Sequence, residues 1–138
     1  MNILGIDYGT KRIGLSFSDD EIGFAFPLSA IHVCNESDAI SELASIIIDR
    51  RVGVVVIGYP VNMDDSVGHQ AMRVDEFIEK LLRRVDVDIV RVDERLSSES
   101  VEDIRAHRSA SSRHRLRARG SIDSAAATII LQDYLNSR

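Results

Sequence analysis

Three carboxylates stand where an acid is costly or pointedly placed, and together they suggest a chemistry. Asp7 closes the apolar run Ile3-Leu4-Gly5-Ile6. An ionised group at the end of a central strand costs several kcal/mol unless a cation, hydrogen-bond donors or water compensate it. Glu94 comes just after the strand-like run Val87 to Val92, and Asp123 falls in the first turn of a helix expected from Ser121 to about Asn136. In an open α/β sheet, ligands gather at the carboxyl ends of the strands, where Asp7 and Glu94 both lie if their strands are parallel neighbours. Three converging carboxylates, with no histidine or cysteine at metal-binding spacing, suit a hard cation with oxygen ligands, magnesium or manganese. Each acid also has an ordinary use. Asp7 could cap the Tyr8-Gly9-Thr10 turn, Asp123 could complement a helix dipole, and Glu94 could pair with Arg91 or Arg95.

Hydrophobic periodicity supplies the elements that would carry these acids. Asn2 to Tyr8, Arg12 to Ser18 and Phe24 to Val33 read as three strands joined by short connections, an antiparallel meander. A helix follows from Ser37 to Arg51, with Ile40, Leu43, Ala44 and Ile47 along one face. Val52 to Ile57 is almost entirely valine and isoleucine, the pattern of a strand buried on both faces. Next come a helix from Val67 to Arg84 with Ala71, Val74, Phe77, Ile78, Leu81 and Leu82 inward, the strand Val87 to Val92, and a helix from Ser98 to His107. The terminal helix begins at Ser121, a favourable N-cap. This order predicts one α/β domain over residues 1–138: a mixed five-stranded sheet, three strands antiparallel and two parallel, with helices on both faces.

Composition narrows the class. The chain has 138 residues, 44% hydrophobic and 28% charged, which excludes a disordered or low-complexity chain. Its longest apolar stretch, Val52 to Val61, is far short of the roughly 20 residues a membrane helix needs. No signal peptide is read at the N-terminus, and one cysteine, Cys34, suits a reducing compartment. A cytoplasmic location is expected. The net charge is -5, yet residues 104 to 122 hold Arg105, Arg108, Arg113, Arg115, Arg117 and Arg119 and no acid. Such a cluster can bind phosphates locally on an acidic protein. It could equally be a solvated loop that balances acidic neighbours.

The segment Gly5-Ile6-Asp7-Tyr8-Gly9-Thr10-Lys11-Arg12-Ile13-Gly14 resembles the opening of the YqgF/RuvX family of pre-16S rRNA nucleases and Holliday-junction resolvases. Three further blocks agree in order: Val56-Ile57-Gly58-Tyr59-Pro60, Asp93-Glu94-Arg95-Leu96-Ser97, and Ile122-Asp123-Ser124-Ala125-Ala126-Ala127 with Ile130-Leu131-Gln132 behind it. The resemblance runs from Ile3 to Leu135. It implies an RNase H-like fold with Asp7, Glu94 and Asp123 as catalytic, metal-holding acids, two magnesium or manganese ions, and hydrolysis of phosphodiester bonds. Lys11, Arg12, Arg95, Arg113, Arg115, Arg117 and Arg119 become the expected nucleic-acid contacts. Gly5, Gly9 and Gly14 would let a nucleic-acid backbone approach, although turn geometry alone explains Gly9.

The implied substrate is precursor rRNA, with ribosomal particles as possible company; four-way DNA is the alternative. Cutting a junction in pairs would need a homodimer, whereas trimming RNA needs only a monomer. The chain departs from the family at Tyr59, in a Gly-Leu-Pro turn, and at Met63-Asp64-Asp65, where Asp-Gly or Asn-Gly is usual. Asp64 and Asp65 read as a solvated turn, Cys34 as a small buried hydrophobe, and Tyr59 as a packing aromatic more than a base-stacking one. His32, His69, His107 and His114 read as non-ligands. Two rivals remain. The Gly5 to Thr10 segment also resembles a phosphate loop of the actin, Hsp70 and sugar-kinase group, but those enzymes close two such domains around ATP. A non-catalytic binding module gains nothing from acids facing phosphates.

Overall fold

The computed structural model describes residues 1–19, 21–59, 69–93 and 124–138. Five strands, β1 (Asn2–Asp7), β2 (Arg12–Asp19), β3 (Phe26–His32), β4 (Val52–Tyr59) and β5 (Asp88–Asp93), form one sheet in the order β3-β2-β1-β4-β5. The β1–β2 and β2–β3 pairs are antiparallel, while β1–β4 and β4–β5 are parallel. Helices α1 (Glu36–Asp49), α2 (His69–Leu82) and α3 (Ala125–Ser137) complete the described elements. The expected mixed sheet is therefore present; the helix expected from Ser98 to His107 lies outside the described residues. No helix among the described residues is long and apolar enough to cross a membrane.

The alternation of β1 divides the core. Leu4 and Ile6 pack with Val55 and Ile57 of β4 against Leu43 and Ile47 of α1 and Phe77 and Leu81 of α2. Ile3 and Val56 point the other way, onto Ile130, Leu131 and Leu135 of α3. A strand flanked by helices on both faces must be apolar on both, which is why β1 and β4 read as continuous hydrophobic runs. Pro27, which cannot donate to a ladder, falls in the edge strand β3. Asn35 caps α1, its Oδ1 accepting from the Asp38 N–H at 2.8 Å. Lys80 meets Glu36 at 3.2 Å, and Arg84 donates to Ser41 Oγ at 2.5 Å, tying α2 and the turn after it to α1.

Four expectations are corrected. β3 starts at Phe26, not Phe24, because Gly23 turns with φ +77° and Gln132 of α3 takes the local backbone groups. Its Oε1 accepts from the Ala25 N–H at 3.0 Å, and its Nε2 donates to the Gly23 carbonyl at 3.2 Å. Leu82 is exposed, lying just off the inward stripe of Val74, Phe77, Ile78 and Leu81. Cys34 is exposed too, since the β3–α1 connection runs over the surface.

Gly5 does not open a path for nucleic acid. A Cβ there would strike Ser16 Oγ and come within 2.8 Å of Leu131 Cβ and 2.9 Å of the Ala127 carbonyl, so Gly5 is where α3 presses on the sheet. Gly5→Ala should cost about 1–3 kcal/mol through overpacking, read as a lower urea midpoint; an unchanged midpoint would mean that α3 can move aside freely.

Candidate active site at the strand ends

Asp7 is the last residue of β1, half-buried, at the carboxyl end of a strand running parallel to β4 and, beyond it, β5. Ile3 and Gly5 both face α3, so the strand period places Asp7 on that face as well. Its partner on β2 is Gly14. On the other side Ile6 pairs with Ile57, so the parallel register brings Gly58 beside Asp7, and Gly58 in turn pairs with Val92 of β5. The carboxylate is therefore flanked across the sheet by two residues without side chains. An acid between two glycines at parallel strand ends is the feature of the described residues that fits a bound cation and a phosphate.

The other two acids adjoin described elements. Glu94 lies outside the described residues; it follows Asp93, the last residue of β5, which pairs with Tyr59 at the end of β4. Asp123 also lies outside them, and Ser124 directly after it is fully buried against the sheet. The described part of the terminal helix starts at Ala125 with Ser124 at the N-cap position; the expected cap, Ser121, is not among the described residues. Among the described residues, no three histidine, cysteine or acidic side chains gather in a metal-holding group.

Of the expected nucleic-acid contacts, Lys11 and Arg12 are described. Both are exposed in the β1–β2 connection and the first residue of β2, at the Asp7 end of the sheet. The Lys11 carbonyl accepts from the Val33 N–H at 2.8 Å, which anchors the turn to β3. Gly9 is demanded by that turn, since a Cβ would come within 2.5 Å of the Arg12 carbonyl oxygen. Arg95, Arg113, Arg115, Arg117 and Arg119 lie outside the described residues.

Two tyrosines frame the strand ends on the α2 face. Tyr8 stacks on Phe77 with centroids 4.7 Å apart, and burial, then Glu36, pushes its hydroxyl above the usual phenol range. Tyr59 donates to Asp75 Oδ2 at 2.9 Å, a bond that raises its pKa. Arg91 pairs with Asp75 at 3.3 Å and lies over the Tyr59 ring, 5.8 Å from its centroid. Tyr59 thus packs, as expected, and Arg91 is engaged on the α2 face. Sequence reasoning did not find Asp75: its i, i+16 link to Tyr59 and Arg91 exists only once α2 covers the ends of β4 and β5.

A mixed sheet in this order, with an acid closing the first strand and a helix from the chain's end packed over it, defines an RNase H-like α/β domain. Solved structures agree at the level of the fold. The fowlpox virus Holliday junction resolvase superposes with a TM-score of 0.63 at 12% identity, each chain covered completely. Thermus thermophilus RuvC, solved in complex with a Holliday junction substrate, superposes with a TM-score of 0.62 at 12% identity, over 100% of this chain and 95% of that one.

Sequence comparison is more specific. The family model described as "RuvX: Holliday junction resolvase" matches residues 1–137. Proteins named "Putative pre-16S rRNA nuclease" match along their length: that of Opitutus terrae is 43% identical, covering 100% of this chain and 93% of its own. That of Maridesulfovibrio salexigens is 41% identical, covering 98% of both. The chain belongs to the RuvX family of nucleases.

Proposed function

We propose that this chain is a divalent-metal-dependent nuclease in which Asp7, Glu94 and Asp123 hold the metal, and that its substrate is the 5′ end of precursor 16S rRNA. The observation that carries the reading is the setting of Asp7. It is a carboxylate at parallel strand ends, flanked by Gly14 and Gly58, on the face where α3 begins one residue after Ser124. The donor set is all oxygen, which fits magnesium or manganese. When bound, two such ions supply activation of the attacking water and neutralisation of charge on the leaving oxygen.

The chain's own groups do the rest. Asp7 and its two partner acids hold negative charge where it would repel phosphate unless a cation intervened. Lys11 and Arg12, exposed at the Asp7 end of the sheet, orient the phosphodiester. Arg113, Arg115, Arg117 and Arg119, with Arg95, extend the phosphate footprint along the substrate. Precursor rRNA is favoured by the names of the relatives that match along their whole length. Action on RNA within ribosomal particles in the cytoplasm follows from that substrate.

The test is a side-by-side cleavage assay on a 5′-extended rRNA precursor and a synthetic four-way DNA junction, each with magnesium, manganese or EDTA. Metal-dependent cutting of the RNA alone is expected. Paired symmetric cuts in the junction would instead establish a resolvase and require a dimer; no cutting by folded, metal-loaded protein would favour a binding module.

A further inference from the structure

Ser124 stands directly before α3 with a turn-like rather than extended backbone (φ −107°, ψ 5°), and its hydroxyl makes no capping bond to the helix. Its Oγ is fully buried and faces the sheet instead, accepting from the Leu15 N–H at 3.1 Å and donating to the Leu28 carbonyl at 2.6 Å. Those two residues are partners in the β2–β3 ladder, at a place where the ladder is irregular. Ile13 pairs with Ile31 and Leu15 with Leu28, so Ser29 and Ala30 together oppose the single residue Gly14. Gly14 is also the residue opposite Asp7.

The bulge and Asp7 thus lie on either side of one glycine, and the Ser124 hydroxyl bridges the strands at the bulge's edge. Bulges re-aim the chain beside functional sites. Here the bulge receives a side chain from another element and fixes that element to β2. The residue so fixed is covalently next to Asp123, and Leu15, which it grips, is opposite Ile6, next to Asp7.

We propose that Ser124 is a positioning residue: its hydroxyl, held in the β2–β3 bulge, sets the place of Asp123 relative to Asp7 and so the affinity of the acid cluster for its cation. This rests on the reading of Asp7 and Asp123 as metal ligands. The Ser124 bridge is not needed merely to hold α3 on the sheet, because α3 is already pinned one turn further on. There Ser16, equally buried, donates to the Ala127 carbonyl at 2.7 Å.

Ser16 provides the control. Manganese binding to the full-length protein, followed by the loss of the free-ion EPR signal, is measured for wild type, Ser124→Ala, Ser16→Ala and Asp123→Asn. Groups that orient metal ligands are commonly worth ten- to a hundredfold in metal affinity. Ser124→Ala should therefore weaken binding about tenfold or more, Ser124→Thr, which keeps the hydroxyl, should recover most of it, and Ser16→Ala should stay within about twofold of wild type.

Equal effects of Ser124→Ala and Ser16→Ala would overturn the proposal and leave Ser124 a purely structural serine. If Asp123→Asn binds manganese as wild type does, the metal-ligand reading itself fails. If it loses binding while Ser124→Ala does not, only the positioning role is lost. Should Ser124→Ala not fold, Ser124→Cys takes its place, since a thiol fills the site but bonds weakly; wild-type affinity in that variant would also overturn the proposal.

Discussion

Asp7→Asn is expected to lower metal-dependent cleavage about a thousandfold or more while leaving the fold intact. The magnitude follows from several kcal/mol of charge stabilisation supplied at a metal site, each ~1.4 kcal/mol being a factor of ten in rate. The substitution is also the sharpest discriminator between the two uses of this residue. As a turn cap, asparagine serves as well as aspartate, because both accept from backbone N–H groups. As a metal ligand it does not, because the anionic oxygen is gone. Cleavage rate constants measured at saturating magnesium, with circular dichroism as the check on folding, decide between them. Full activity in Asp7→Asn would make Asp7 a capping residue and remove the basis of the site.

The second large effect is electrostatic. Changing Arg113, Arg115 and Arg117 together to Ala removes half of the six arginines in residues 104 to 122. If each neutralises one phosphate of single-stranded RNA, the slope of log affinity against log salt should flatten by about 2. Binding should weaken at every salt concentration, since the rest of the chain carries 22 acids against 11 basic residues outside the segment and repels phosphate. Filter binding or fluorescence anisotropy between 50 and 200 mM salt, about the range over which such contacts are felt most, reads both changes. An unchanged slope would take the segment out of the binding surface and leave it as a solvated balance to acidic neighbours.

The sheet was legible because its central strands have no solvent face. Ile3 to Ile6 and Val52 to Ile57 are apolar at almost every position, and a run of that kind between turn residues fits a parallel, doubly covered strand. Asp7 was legible for the converse reason, a charge at the end of such a run. What the sequence hid were residues whose roles depend on tertiary partners. Ser124 follows the expected cap at Ser121 with no signal of its own, and nothing local says that its hydroxyl belongs to Leu15 and Leu28. Gly5 suggested room for a ligand until α3 was found against it. Cys34 was misjudged by residue type alone, since its burial depends on the path of a connection. Tyr59 and Arg91 meet through Asp75, a residue with no periodic or motif signal of its own.

The central claim is that Asp7, Glu94 and Asp123, distant in sequence, converge on one cation site. Iron-directed cleavage of the polypeptide tests it most directly. Ferrous ion replaces magnesium, and ascorbate with peroxide generates hydroxyl radicals that cut the backbone near the bound metal. Cuts near residues 7, 94 and 123, all suppressed by excess magnesium and all lost in Asp7→Asn, are the predicted result. Cuts confined to one of these segments, or cuts elsewhere that magnesium does not suppress, would contradict it.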